Sequence, residues 1–268
     1  MRWKRQAWWL FCIGAALLII SSGVLIGLGL MTARATPSPS PNSSFFGLER
    51  WTDTTIDRDD GFVTVDWDYW KRINPDIVGW VNIEGTSINH PIMRAPLDDP
   101  TFYLHHDIYR NYSVYGVPYL DTSDTQGDLL ALNAIIYGHH MDDGSMFSDL
   151  ASYSDETYAR EHATVCLQTP AGKQRLRVAH ACIIDGDTTE KRIRFSDEDA
   201  FRTWYEEQRS NACMVLDKEH LPPYVVTFCT CSYHRFSNER TLVVCIPEEI
   251  AALDFEAEEE TNEISSVE

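Results

Sequence analysis

The fold is decided by a stretch near the C-terminus, Tyr224-Val-Val-Thr-Phe-Cys-Thr-Cys-Ser-Tyr-His-Arg-Phe-Ser-Asn-Glu-Arg-Thr-Leu-Val-Val-Cys-Ile246. Two runs rich in β-branched and aromatic residues flank a polar connection of eight residues, 232–239. This pattern predicts two neighbouring antiparallel strands, the first ending at Cys231 and the second beginning at Arg240. Cys231 and Arg240 should therefore lie side by side where the loop leaves the strand pair.

A thiol beside a guanidinium is suited to nucleophilic chemistry. The thiolate is the reactive form of cysteine, a nearby cation favours it, and a fixed guanidinium can also stabilise an oxyanion. A proton carrier is still needed, and histidine is the usual one near neutral pH. Ile135-Ile-Tyr-Gly-His-His-Met141 is an apolar strand that breaks at its glycine and presents His139 and His140 directly afterwards. Cys231, Arg240 and one of these histidines are the candidate catalytic groups.

These motifs resemble those of the sortases, the cysteine transpeptidases of Gram-positive cell surfaces. The sortase pattern is Thr-Leu-x-Thr-Cys at a strand end and an Arg opening the next strand. The chain has Thr227-Phe-Cys-Thr-Cys231 and then Arg240, with Phe228 in place of Leu as a mild departure. The segments similar to the class B subgroup are Asn74-Pro-Asp-Ile-Val-Gly-Trp80, Gly85-Thr86, Tyr103-Leu104 and Tyr137-Gly-His-His-Met-Asp-Asp-Gly-Ser-Met-Phe147. Several motifs in the family's order, over about residues 66–247, are more specific than one alone.

The resemblance implies roles for individual side chains. Cys231 matches the nucleophile, and Arg240 matches the residue that holds the oxyanion and the substrate backbone. His139, directly after the glycine, matches the catalytic histidine, although His140 can reach the same pocket. By analogy Thr230 donates a hydrogen bond to the oxyanion or helps to position it, and Leu104 lines the substrate groove.

Cys229 is the rival nucleophile, and we also count it among the candidate substrate-binding residues. It lies two residues before Cys231 and therefore on the same face of the strand. Cys229 is farther into the strand, where a thiol is drier and less readily ionised. A soft metal site is a further alternative, but Cys229-x-Cys231 lacks the Cys-x-x-Cys spacing of common structural zinc sites.

The resemblance also implies a reaction. Cys231 attacks the carbonyl of a Thr residue in the C-terminal sorting signal of a secreted protein. The resulting thioester is transferred to an amine of a cell-wall precursor or to a pilin lysine, and the chemistry needs no metal or organic cofactor. A Cys-His peptidase or amidase acting on cell-wall peptides is the alternative function, because acyl-enzyme chemistry is shared up to the second nucleophile.

Short apolar runs separated by Gly and Pro turns predict a mostly β fold, a closed β-barrel of sortase type. A helix over 65–73 precedes the barrel and stops at Asn74-Pro75, and an amphipathic helix over 196–212 is inserted before the catalytic strand. The resemblance places the second helix beside the active-site groove. The predicted strands are 77–83, 88–93, 117–120, 129–137, 164–169, 175–184, 225–231 and 240–246.

The N-terminal region predicts a membrane anchor. Three basic residues precede 25 uncharged residues, 7–31. As a helix this segment is about 37 Å long, enough to cross a hydrocarbon core of about 30 Å. A cleaved signal peptide is the alternative, because Ala33-Arg-Ala35 weakly resembles a cleavage site. We predict a cytoplasmic N-terminus (1–6), a transmembrane helix (7–31), a Pro/Ser-rich linker (32–48), an extracellular catalytic domain (49–247) and an acidic, disordered tail (248–268).

The charge of the chain disfavours a nucleic-acid partner. The net charge is −19, and without the three N-terminal basic residues 19 basic side chains remain against 41 acidic ones, about −22. Such a charge suits a substrate that carries amines or a basic flank, although a solvated acidic surface is the more common explanation.

The seven cysteines are an odd number, so at least one thiol stays unpaired unless a bond forms between chains. Cys12 lies in the predicted membrane helix. Cys166, Cys182 and Cys245 lie in apolar strands, where we predict that they behave as buried small hydrophobic residues. Cys213 follows the predicted second helix and can pair, but its partner cannot be read from the sequence.

Overall fold

The computed structural model describes residues 60–122, 129, 131–187, 191–232 and 238–249. All of them belong to one of the two units into which the chain divides, Gly47–Glu268. The predicted membrane helix, linker and C-terminal tail lie outside the described residues, apart from Glu248 and Glu249. In the part of the chain that is described, no helix has both the length and the apolar character needed to cross a membrane.

One sheet of nine strands, counted over the described residues, closes on itself. The strands are β1 (Ile77–Asn82), β2 (Asn89–Arg94), β3 (Tyr119–Leu120), β4 (Asn133–Tyr137), β5 (Thr164–Thr169), β6 (Gly172–Asp185), β7 (Met214–Val215), β8 (Val225–Cys231) and β9 (Glu239–Pro247). Their order is β5-β1-β2-β3-β4-β8-β9-β6, and pairing of β5 with β6 closes an eight-stranded barrel. Strand β7 pairs with β6 but is not one of the eight strands that form the closed barrel. The predicted closed β-barrel is confirmed.

Helix α1 (Trp67–Ile73) precedes the barrel. The Asp66 side chain caps it by accepting a hydrogen bond from the Tyr69 N–H at 2.9 Å. The helix ends at Ile73, directly before Asn74 and Pro75, as the sequence predicts. The Asn74 amide then donates to the Tyr103 hydroxyl and to the Ile108 carbonyl, both at 2.8 Å, so the end of α1 is tied to the segment that approaches the site.

Helix α3 (Glu198–Ser210) is the predicted amphipathic insertion before the catalytic strand. Its cap is Asp197, whose side chain accepts from the Ala200 N–H at 2.7 Å, so the helix starts slightly later than predicted. Its apolar face buries Phe201, Trp204 and Tyr205 against outward-facing residues of β6, β8 and β9. This packing fixes the helix on the outside of the barrel.

Several short elements differ from the sequence prediction. Strand β3 has two residues rather than four, because Pro118 has no N–H to donate to a ladder. Strand β4 begins at Asn133 rather than at 129. A 3-10 segment (Ser148–Ser154), helix α2 (Glu156–Glu161) and β7 are not predicted at all, since elements this short carry no clear periodicity. Another 3-10 turn, Phe102–Leu104, lies before β3.

Alternation along β8 separates the barrel interior from its outer face. Val226 and Phe228 belong to the interior cluster, which also contains Phe147 from the segment after β4. Val225 and Cys229 belong to different clusters on the opposite face. Because side chains alternate along a strand, Cys231 lies on the outer face, together with Cys229.

Two buried histidines make the fold sensitive to acid. His90 and His180 are 2% and 0% exposed, and burial lowers the pKa of each imidazole to about 4. The unfolded chain binds protons at these positions more readily than the folded one. The free energy of unfolding is therefore highest above about pH 6.5. It decreases by about 3 kcal/mol for each histidine as the pH falls toward 4.

We expect His180→Leu to remove about half of this acid sensitivity, because leucine fills the same site and binds no proton. The measurement is the free energy of unfolding by urea at several pH values between 7 and 4.5. His162→Gln, a change at a histidine that is only partly buried, serves as the control. Equal pH slopes in the wild type and in His180→Leu would show that His180 does not contribute to the acid sensitivity.

Candidate active site

The end of β8 lies beside the start of β9, at the predicted pair Cys231 and Arg240. Strands β8 and β9 are antiparallel, with Thr230 opposite Thr241 and Cys231 opposite Arg240. Directly opposed residues in such a pair have side chains on the same face. The Ser232 N–H donates to the Glu239 carbonyl at 3.0 Å immediately beyond them. The structure thus confirms the predicted pairing and places the thiol and the guanidinium on one rim.

Strand β4 delivers the histidine turn to the same rim. Strands β4 and β8 are parallel, with Tyr137 opposite Cys229, and the Gly138 N–H donates to the Cys229 carbonyl at 3.1 Å. Continuing this register brings His139 level with Cys231. The turn requires glycine, because a Cβ at Gly138 would lie 2.5 Å from the ring of the buried Phe147.

The protonation state of His139 follows from its contacts. Its Nε2 lies 2.7 Å from the Leu104 carbonyl oxygen, which can only accept, so Nε2 carries a proton and Nδ1 is left for proton exchange. Burial lowers the pKa of His139, although its hydrogen bond to Leu104 acts in the opposite direction. The neighbouring His105 and Arg240 lower the pKa of His139 further. The imidazole is therefore mainly neutral at pH 7 and suited to act as a base.

His140 makes a different contact. Its Nδ1 lies 3.1 Å from the Cys231 carbonyl oxygen, so the ring is bound to the backbone of the candidate nucleophile. His140 also lines a surface cleft with Ser148 and Asp149. The two adjacent histidines thus point to different partners, and this difference favours His139 as the proton carrier.

The two cysteines of β8 have different surroundings. Cys229 is 1% exposed, and burial raises the pKa of its thiol to about 12. It packs with Ile135, Cys182 and Leu242. Cys231, in contrast, is only partly buried. Cys229 therefore remains a protonated, buried thiol, as expected from its position in the strand, and this burial does not favour the predicted substrate contact by its side chain.

Thr230 and Leu104 contact the histidine turn. Thr230 is 1% exposed, and its Oγ1 donates to the Gly138 carbonyl at 3.0 Å. Leu104 is partly buried beside Tyr103, and its carbonyl accepts the His139 hydrogen bond. In the structure both residues thus fix the position of His139, while their predicted contacts with the oxyanion and the substrate stay predictions.

Two tyrosines near the site were not predicted from the sequence. The Tyr137 hydroxyl donates to the Asp121 carboxylate at 2.7 Å, and the ring of Tyr119 lies 5.5 Å from that of Tyr137. Burial raises the pKa of both phenols, and the potentials of Cys231 and Asp121 add to the effect at Tyr119. Both hydroxyls stay protonated. The only sequence signal was the position of Tyr137, two residues before His139 in the same motif.

Thr230→Val tests whether the hydroxyl of Thr230 positions the histidine turn. Loss of its hydrogen bond to the Gly138 carbonyl should lower kcat/KM about 10-fold, the equivalent of about 1.4 kcal/mol, and should shift the acidic limb of the pH profile. The measurement is kcat/KM for a fluorogenic sorting peptide between pH 5 and 9.

Thr241→Val is the matched control for this change. Thr241 lies directly opposite Thr230, is also buried, and its Oγ1 has no hydrogen-bond partner among the described residues. We expect activity and pH profile close to those of the wild type. Equal losses in the two variants would mean that the Thr230 hydroxyl has no specific role.

An eight-stranded barrel with Cys231 and Arg240 on adjoining strand ends, and a histidine turn on the parallel neighbour, is the arrangement that the resemblance to sortases implies. The chain is 39% identical to Sortase B of Listeria monocytogenes over 94 residues, and 26% identical to Sortase B of Staphylococcus aureus over 175 residues. These matches cover 35% and 65% of this chain, and 37% and 70% of the relatives, so the first spans little more than a third of the Listeria protein.

The X-ray structure of Clostridium perfringens sortase B superposes with a TM-score of 0.61 at 27% identity, over 67% of this chain and 98% of that one. No family model matches the sequence. The sequence relatives and the solved structure are all sortase B proteins, and this agreement supports a class B sortase.

Proposed function

We propose that the chain is a membrane-anchored cysteine transpeptidase of the sortase B type. It cleaves the C-terminal sorting signal of secreted proteins and transfers them to an amine of the cell wall or of a pilin. Residues 7–31 hold it in the membrane, and the catalytic domain faces outward. The observation that carries this proposal is the register that pairs Cys231 with Arg240 while the parallel neighbour brings His139 to the same level.

The first half of the reaction cleaves the sorting signal. The neutral His139 takes the thiol proton at Nδ1 as the Cys231 sulfur attacks the scissile Thr carbonyl. The carbonyl oxygen becomes an oxyanion, which the Arg240 guanidinium stabilises. When this tetrahedral species collapses, the C–N bond breaks, His139 protonates the leaving amine, and a thioester on Cys231 remains.

The second half transfers the acyl group. An acceptor amine attacks the thioester carbonyl and gives a proton to His139. Arg240 again stabilises the oxyanion, the C–S bond breaks with Cys231 leaving as the thiolate, and the protonated His139 returns its proton to that sulfur. Water at the same position would give hydrolysis, so a Cys-His peptidase or amidase differs only in the second nucleophile.

An assay with and without an amine acceptor tests this function. We expect the full-length chain to convert a fluorogenic sorting peptide plus a glycine oligomer, or a lysine-containing pilin peptide, mainly into ligated product, identified by mass spectrometry. Ligation should increase with acceptor concentration at the expense of the hydrolysed peptide. Hydrolysis alone with every acceptor would favour the peptidase or amidase, and no cleavage of any sorting peptide would contradict the proposed transpeptidase.

A further inference from the structure

Strands β6 and β7 bring two cysteines together outside the catalytic groups. Their antiparallel register pairs His180 with Val215 and Ala181 with Met214. Cys213 directly precedes β7 and Cys182 directly follows Ala181, so the two cysteines lie close together where the pairing ends. Ala181 and Met214 both belong to the barrel interior, so Cys182 and Cys213 both lie on the outer side.

The contacts of the two sulfur atoms also place the two cysteines close together. The Cys213 Sγ lies 3.2 Å from the carbonyl oxygen of Ala181, the residue that directly precedes Cys182. The Cys182 Sγ lies 3.5 Å from the Gln208 carbonyl at the end of α3. The Cys213 N–H also donates to the Ala181 carbonyl, at 2.9 Å, so the backbone of Cys213 lies directly beside that of Ala181 and Cys182. Disulfides join residues whose Cα atoms are about 4.4–6.8 Å apart.

We propose that Cys182 and Cys213 form a disulfide that clamps the C-terminal end of α3 to β6. Both are thiols in the structure, Cys213 exposed and Cys182 buried. The oxidant is a low-molecular-weight disulfide or the disulfide of a thiol oxidoreductase. The Cys213 thiolate attacks one of its sulfurs and releases one thiol, and Cys182 then attacks the mixed disulfide at Cys213 and releases the second. Two protein thiols are oxidised, one disulfide is reduced, and the two thiol protons pass to the released thiols.

The order of these two steps follows from the surroundings. Burial, together with the neighbouring Cys213, raises the pKa of the Cys182 thiol to about 12, so Cys182 reacts slowly with an external oxidant. Cys213 is the accessible sulfur, and once it carries the mixed disulfide, Cys182 is the nearest thiol to attack it.

The clamp acts on the insertion that lies before the catalytic strand. Ala212, beside Cys213, packs on the cluster that contains Cys182 and Cys229, and Cys229 is two residues from the nucleophile. The bond closes a loop that includes the whole of α3. Closing a loop of this length restricts the unfolded chain, so oxidation should raise the melting temperature by about 5–10 °C.

The disulfide also leaves Cys231 as a thiol. Cys166, Cys229 and Cys245 are buried, so among the described cysteines the accessible sulfurs are those of Cys213 and Cys231. Pairing Cys213 with Cys182 removes the competitor most able to form a mixed bond with the nucleophile. The disulfide does not depend on the transpeptidase reaction, because its two sulfur atoms lie at the β6–β7 pairing and not among the catalytic groups.

Peptide mapping of the full-length chain tests the proposal. The protein is equilibrated with glutathione disulfide, alkylated and digested with trypsin without reduction. We expect peptide 178–191, which contains Cys182, to be linked to peptide 210–218, which contains Cys213. Reduction should release both peptides and lower the melting temperature of the intact protein by about 5–10 °C.

Two variants separate a specific bond from random oxidation. Cys213→Ser should lose the linked peptide and should show the melting temperature of the reduced wild type under all conditions. Cys231→Ser should keep the linked peptide and the increase in melting temperature on oxidation. The proposal is overturned if the wild type yields no such peptide, if Cys213 links mainly to another cysteine, or if the bond forms without raising the melting temperature.

Discussion

Cys231→Ala should abolish acyl-enzyme formation and lower kcat/KM for a sorting peptide by at least about 10⁴-fold, as removal of a catalytic nucleophile does in other covalent enzymes. The reason is that Cys231 is the partly exposed thiol directly opposite Arg240. The measurement is the rate of peptide cleavage over enzyme concentrations wide enough to detect a residual activity of that size.

Cys229→Ala is the matched control for this prediction. Cys229 lies on the same strand and the same face, but it is buried, and its thiol pKa is raised to about 12. Its replacement should lower stability by about 1–2 kcal/mol, because a packed sulfur is lost, and should leave most of the activity. An inactive Cys229→Ala together with an active Cys231→Ala would reverse the assignment of the nucleophile.

His139→Ala should lower kcat/KM by about 10³-fold, because the side chain both removes the thiol proton and protonates the leaving amine. Its lowered pKa adds a pH signature. Activity requires the neutral imidazole, so the enzyme should lose activity as the pH drops and His139 becomes protonated. Because the pKa of His139 is lowered, this acidic limb of the kcat/KM profile should lie at a pH below 6.5, the ordinary pKa of histidine. Steady-state kinetics between pH 4.5 and 9 measure both effects.

His140→Ala is the neighbouring control. This ring is bound to the Cys231 carbonyl, so its loss should disturb the position of the nucleophile slightly. We expect kcat/KM to fall by less than about 10-fold and the acidic limb of the pH profile to stay unchanged. If His140→Ala proves the more damaging change, or if it alone moves the limb, the proton carrier is His140 and the proposed mechanism must be redrawn.

The sequence predicted the Cys231–Arg240 pair well, because strand periodicity and a polar loop between two apolar runs fix the register locally. It could not separate His139 from His140 on chemical grounds, since both follow the same glycine. What separates them are contacts with distant parts of the chain, the Leu104 carbonyl for one and the Cys231 carbonyl for the other. Residue spacing does not encode contacts of this kind.

Short elements were the other source of error. Strand β7 has two residues, too few for an alternating pattern, so the sequence gives no sign that Cys213 lies beside β6 and near Cys182. The segments between 148 and 161 form a 3-10 turn and a single short helix, which are held by the burial of Leu150 and Tyr153 rather than by local propensity. Tertiary packing decides such elements, and a single sequence contains little information about it.

The position of the acyl group in the trapped intermediate tests the assignment of Cys231 as the nucleophile most directly. The wild-type chain is mixed with a sorting peptide in the absence of an amine, quenched in acid to preserve the thioester, and digested at low pH. Tandem mass spectrometry of the fragments that contain both Cys229 and Cys231 then locates the added mass. We predict a thioester on Cys231 that disappears when an acceptor amine is supplied. A thioester on Cys229, or peptide cleavage without any thioester, would contradict it.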